Sequence, residues 1–244
     1  MSRWRASGVH LLLSAAIAAA VLAFMLSVWY PGPLFEAAGG SHLIFILVAV
    51  DVTLGPLITL IIFKAGKPGL KFDLAVIATL QVAALAYGMH TVYLARPVYL
   101  VFTKDRFDVV SAKDLDPADF GKAARPEFDH LPLGRPRYIA AVPPADREAR
   151  LKLLAESLQG KDLQMFPQYY VPYEEEIPNA LTRARPLTVL LERNAEAVQR
   201  GLKSAGRPAE AVKFLPLRGK EADGAVLLDA KTGMPLEIVL VDPW

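Results

Sequence analysis

The chain has 244 residues, just over half of them hydrophobic, with a positive mean hydropathy and a formal net charge of +2. Cysteine is absent, which excludes thiol catalysis, cysteine metal sites and disulfides, and no Lys/Arg run offers an electrostatic footprint for nucleic acid. Charge is unevenly placed: up to Ala95 the basic residues are Arg3, Arg5, Lys64, Lys67 and Lys71 and the acidic ones Glu36, Asp51 and Asp73, so of totals of 27 and 25 the remaining 22 basic and 22 acidic residues all follow Ala95.

Regions so different answer to different solvents. Residues 1–95 read as a transmembrane region with apolar runs at about 10–29, 42–63 and 72–94, each near the roughly 20 residues a helix needs to cross a bilayer. The basic start MSRWR resembles a signal peptide, but the run after it is too long for a signal core and no small-x-small pair follows. Basic residues lie before the first run and between the second and third, and none lies in PGPLFEAAGGS. The positive-inside bias therefore places the N-terminus in the cytoplasm and residues 96–244 in the periplasm of an inner membrane.

Polar residues within the runs carry the most information. Asp51 falls near the middle of the second run, where an ionised carboxylate is costly and must be paired, protonated or sheltered by protein. Gly55 and Thr59 follow at steps of four, a small polar stripe suited to close helix contact. Pro56 cannot donate to Val52, which predicts a kink. Depth along the helices, about 18 Å for Asp51 and about 13–14 Å for Gln81, brings Gln81 within reach as a partner, with Tyr87 the second choice. Gln81 shares its face with Ala84 and Gly88. The candidate partner-binding or helix-packing residues are thus Asp51, Gly55, Pro56, Thr59, Gln81, Tyr87 and Gly88. Two roles stay open for them, packing between helices and contact with a partner's helix or a proton. A single acid without a second ionisable group speaks against transport.

After Arg96, which is placed to snorkel toward lipid headgroups, Pro97 ends the helix. Val98–Thr103 and Phe107–Ser111 read as a hairpin around Lys104–Asp105. A proline-rich stretch follows, then a strand over Arg137–Val142. A helix over Ala145–Gln159 has Leu151, Leu154 and Leu158 as its apolar positions. MFPQYYVPYEEEIP reads as an extended segment, with Glu174, Glu175 and Glu176 a solvated loop. Pro186 opens a helix ending near Gly206, and strands follow at Val212–Leu217 and in AVLLDAKTGMPLEIVLV around a turn at Ala230–Gly233. The expected fold is a three-helix transmembrane bundle followed by a small α+β periplasmic domain with a mostly antiparallel sheet.

No GxSxG elbow, GxxxxGK[ST] loop, GxGxxG or HExxH occurs, and His10, His42, His90 and His130 are scattered. Neither a catalytic residue nor a metal ligand nor a cofactor site is identified, and an enzyme is not expected.

DVTLGPLITLIIFK, KFDLAVIATLQVAALAYG and RPVYLVFTKDRFDVV, with the terminal TGMPL and DPW, resemble the type IV pilin accessory proteins, the TfpX/TfpZ-like group. The resemblance runs from about Val50 to Ser111 and returns at the C-terminus. It implies an inner-membrane, chaperone-like protein that binds or stabilises type IV pilin subunits for pilus assembly. Its partners would be the pilin's transmembrane helix or periplasmic head, the lipid bilayer and other inner-membrane pilus assembly proteins, and not nucleic acid. It also singles out a membrane-surface junction, Lys71, Asp73, Arg96, Pro97, Asp105, Arg106 and Phe107, whose residues match recurring letters of the group. The rival readings are a membrane-anchored periplasmic enzyme acting on pilin or its glycans, and a small ion-coupled transporter.

Overall fold

The computed structural model describes residues 2–41, 44 and 50–244, without the side chains of Val50 and Asp51. It divides into two compact units, Met1–Val28 with Gly40–Ala95, and Trp29–Gly39 with Arg96–Trp244.

The first unit is helical. Helix α1 spans Arg3–Phe24 and runs on through a π turn at Met25–Trp29. Helix α2 spans Gly55–Ile62 behind a second π turn at Val50–Leu54, and α3 spans Leu70–Ala95. A widened turn precedes α2: Pro56 has no N–H for the carbonyl four residues back, and the ladder loosens there. Helix α1 packs on α2 and α2 on α3. Small residues make these contacts possible, Ala6, Ser14 and Ala18 on α1 and Gly55, Pro56 and Thr59 on α2. The outer faces carry bare apolar side chains, with Leu12, Ile61 and Leu80 each about two-thirds exposed or more. Contact through small residues with leucine turned outward is compatible with a lipid surrounding.

The three-helix transmembrane bundle is corrected. Among the described residues two helices, Arg3–Trp29 and Leu70–Ala95, are long and apolar enough to cross a membrane. The apolar helix between them, Val52–Ile62, falls short of that length. Most of the remainder of the expected second run, 42–43 and 45–49, lies outside the described residues.

The second unit is an α/β domain. Its strands are β1 (Pro97–Thr103), β2 (Arg106–Ser111), β3 (Arg137–Ala141), β4 (Tyr170–Pro172), β5 (Arg185–Pro186), β6 (Val212–Arg218), β7 (Gly224–Asp229) and β8 (Pro235–Val239). They form one sheet in the order β4-β3-β1-β2-β6-β7-β8, with β5 beside β6. The sheet is mixed, which corrects the mostly antiparallel expectation: β1 runs parallel to β3 and β2 parallel to β6. Hairpins announce antiparallel pairs through their turns, as at Lys104, which takes the left-handed φ of 41°. Parallel pairs are closed by long crossovers that leave no local signature.

Of the three longer helices of this unit, α4 (Arg147–Ser157), α5 (Tyr173–Arg183) and α6 (Thr188–Ala205), α5 and α6 pack against the sheet. Asp146 caps α4, its carboxylate accepting from the Ala149 N–H at 2.8 Å. Helix α5 overturns the extended reading of its segment. Glu174, Glu175 and Glu176 form its first turn, where the helix dipole favours acids, and Pro178 is tolerated inside it, as one missing N–H costs less than the surrounding contacts return. Helix α6 closes on Gly206 at φ 63°. Gly201 lets it lie against β8, for a Cβ there would overlap Val239.

Two cores result. One gathers Val98, Tyr99, Val101, Ile139 and Tyr170, the other Leu190, Val198, Phe214, Leu227 and Val239. The ladder between the halves is short, Phe107↔Leu217 and Asp108↔Arg218. Beside it Phe107 lies 5.4–5.7 Å from the rings of Phe102, Tyr138 and Tyr173. The Tyr173 hydroxyl donates to the Gly233 carbonyl at 2.8 Å, across the two halves. Elsewhere Asp119, almost fully buried, accepts from Lys122 at 2.7 Å and Lys161 at 2.5 Å. Burial pushes its carboxyl up, but those two ammonium groups outweigh burial and hold it below its ordinary value of 3.8.

Two predictions follow from this packing. Chemical unfolding of the full chain in detergent should show Phe107→Ala destabilised by about 3–5 kcal/mol and Tyr173→Phe by about 1 kcal/mol; equal, negligible losses would contradict the role given to this joint. The Asp119 contribution is complete above the ordinary carboxylate pKa and is lost as pH falls through the lower folded value. Asp119→Asn should therefore be destabilised near neutrality and flatten the loss of stability below about pH 4, measured as unfolding midpoints against pH.

Candidate partner-binding site

Within the helical unit the polar side chains converge on His10. Its Nδ1 lies 2.6 Å from Thr59 Oγ1 and its Nε2 lies 2.6 Å from Gln81 Oε1. In the neutral ring Nε2–H donates to the Gln81 carbonyl oxygen and Nδ1 accepts from the Thr59 hydroxyl. Ser7 Oγ, one turn earlier, donates to the Pro56 carbonyl at 2.8 Å. One imidazole on α1 thereby ties α2 to α3. Gly55 makes room: a Cβ there would overlap the Gln81 amide.

Of the residues singled out in the sequence, Gly55, Thr59 and Gln81 come together here, and Pro56 joins through its carbonyl. The Asp51 side chain, and with it the expected Asp51–Gln81 pair, lies outside the described residues. Tyr87 is 75% exposed and points away. Gly88 is half-buried farther along α3. His10 and Ser7 were not singled out, although the signal was present, since a polar residue in an apolar run marks a helix contact or a functional site. Beside the network a groove of about 410 Å³ opens between α2 and α3, floored by Gly55 and Gln81 and walled by Leu54, Ile58, Val76 and Leu80. Lys71 is exposed, and Asp73 pairs with Lys67 at 2.6 Å.

In the second unit the junction residues part company. Arg96 does not reach for headgroups: it is fully buried, its Nη2 donating to the Pro132 carbonyl at 2.8 Å and its guanidinium 5.7 Å from the Trp29 ring. Trp29 Nε1 donates to the Leu133 carbonyl at 3.2 Å. Tyr30 is fully buried. Desolvation drives its phenol upward, only partly countered by the Arg96 charge. The Ala37 carbonyl accepts from the Lys220 and Glu221 N–H groups. The segment after α1 is thus part of the domain. Pro97 opens β1, Phe107 is core, Arg106 pairs with Asp108 at 3.1 Å, and Asp105 stands exposed at the hairpin tip.

That tip faces α4 across a cleft of about 330 Å³ lined by Lys104, Asp105, Arg106, Arg150, Leu153 and Leu154. Helix α4 buries none of its residues. Leu151, Leu154 and Leu158, read in the sequence as its apolar positions, are 58%, 59% and 84% exposed. The three leucines share one face, turned to solvent beside the cleft.

The family model described as fimbrial assembly protein FimB matches residues 1–39, the first apolar helix and the segment after it. The chain is 34% identical over 231 residues to the fimbrial assembly protein of serogroup I from Dichelobacter nodosus, covering 91% of this chain and 89% of that one. The serogroup E1 protein of the same organism is 32% identical over the same shares. The serogroups C1 and C2 protein is 39% identical over 112 residues, 45% of this chain and 85% of its own length. No solved structure matches. Similarity of this extent, with the resemblance already read from the helices and the first hairpin, shows that the chain belongs to the fimbrial assembly proteins, a type IV pilus assembly family.

Proposed function

We propose that the chain is an inner-membrane accessory protein that holds pilin subunits for pilus assembly, a binding and not a catalytic role. The groove between α2 and α3 carries the reading. In hydrocarbon, helices associate through close packing and hydrogen bonds and gain nothing from apolar character alone. A groove with glycine and an amide on its floor offers both. A pilin subunit, as the resemblance describes it, presents a single apolar helix with a polar group near its N-terminus and a globular head. The helix fits the groove, and the head would meet the leucines of α4. Two weak contacts on one chain add through effective concentration.

Charge placement supports a periplasmic domain. Helix α1 begins at Arg3 and Arg5 and α3 begins beside Lys71, the cytoplasmic side by the positive-inside rule. The C-terminal ends of both helices lead into the same folded unit. The domain then stands on the side where pilin heads are exposed, with other inner-membrane assembly proteins within reach.

His10→Leu should lower the stability of the purified chain in detergent by about 1–2 kcal/mol, the worth of its two interhelical hydrogen bonds; an unchanged thermal midpoint would deny the network its structural role. Co-purification with pilin tests the function. Val76→Trp, which fills the groove from its wall, and the triple variant Leu151→Ser, Leu154→Ser, Leu158→Ser should each weaken capture at least about tenfold, since each removes one of two linked contacts. Undiminished capture by both variants at normal abundance would sink the proposal.

A further inference from the structure

We propose that the loop Leu131–Arg135 rests in the headgroup layer of the membrane with the Leu133 side chain inserted, a lipid contact additional to the apolar helices. The inference depends on the reading above that those helices span a bilayer. Trp29 is the last residue of one such helix, and Arg96 follows the last residue of the other, Ala95. Both side chains hold this loop by its backbone, Trp29 through the Leu133 carbonyl and Arg96 through the Pro132 carbonyl. The backbone at 132–133 is thus fixed one side chain and one hydrogen bond from the two points where the chain leaves the apolar helices.

Length places those points. Helices of 27 and 26 residues are about 40 Å long, against a hydrocarbon core of about 30 Å and headgroup layers of about 5–8 Å on either side. Their ends, and the loop pinned to them, fall within the headgroup layer. Within the loop the side chains diverge. Leu131 packs into the first core, while Leu133, two residues on, is 70% exposed. Interfacial aromatic anchors ordinarily sit here; Trp29 and Tyr30 are buried in the domain, Trp29 with 8% of its surface exposed, while Tyr93, near the end of the second helix, is half-buried. Leu133 is the most exposed apolar side chain of the loop, and acyl chains are the partner such a side chain fits.

The chain has no cysteine, so single cysteines can be labelled with an environment-sensitive fluorophore in the full chain and reconstituted into liposomes with nitroxide-bearing lipids. The sites are Leu133→Cys, Ile17→Cys on the outward face of α1 and Lys231→Cys on an exposed turn. Leu133→Cys should show a blue-shifted emission that shallow nitroxides quench more than deep ones, with Ile17→Cys quenched by deep nitroxides and Lys231→Cys by neither. If Ile17→Cys is quenched and Leu133→Cys is not, the loop proposal falls while the spanning helices stand. If Ile17→Cys escapes quenching, the membrane reading fails and takes the loop with it. Quenching at Lys231→Cys equal to that at Leu133→Cys would mean adsorption of the whole domain, and would also overturn it.

Discussion

A guanidinium buried without water must find carbonyl oxygens and aromatic faces or its desolvation goes uncompensated, and Arg96 organises the second unit on that condition. It lies where an apolar helix gives way to the sheet, and it takes the Pro132 carbonyl and the Trp29 ring. Three stretches far apart in sequence are gathered by one cation: the segment after α1, the start of β1 and the proline-rich loop. A lysine could not replace it, for its compact ammonium lacks the planar surface that lies over indole. From this follow the docking of Trp29–Gly39 on the domain and the fixed position of the 132–133 backbone.

The helical unit obeys the same condition in another solvent. In hydrocarbon, as proposed, polar groups find no water to satisfy them; His10, Thr59 and Gln81 meet one another, and Ser7 takes the Pro56 carbonyl. Gly55 contributes by having no side chain, and the groove beside it remains open. Association with pilin, as proposed, extends this packing to one more helix.

Much of this was legible in the sequence and some was not, for identifiable reasons. The two long apolar helices, the hairpin at Lys104, the helix end at Gly206 and the terminal hairpin were visible because each is written locally, in periodicity or turn chemistry. The parallel pairings of β1 with β3 and β2 with β6 join strands separated by long crossovers, and alternation cannot reveal them. The α5 segment misled through its prolines, which outweighed the acids that start the helix. Arg96 misled because a cation at the end of an apolar run normally faces headgroups; here a distant loop supplies the acceptors. The leucine period of α4 was seen, but periodicity gives the existence of an apolar face and not whether the chain itself covers it. Among the site residues, Gly55, Thr59 and Gln81 were found from spacing and depth, whereas His10, at the edge of its run, drew no attention.

The central claim is that both long helices carry their C-terminal ends to one side of the membrane, into a single domain. Labelling of intact cells with a membrane-impermeant maleimide, after the outer membrane is opened, tests it most directly, using single cysteines at Asp105 on the hairpin tip, Glu36 in the segment after α1 and Lys67 before α3. The account predicts that the first two label and Lys67 reacts only after lysis. Labelling of Lys67 in intact cells, or protection of either Asp105 or Glu36 while the other reacts, would contradict it.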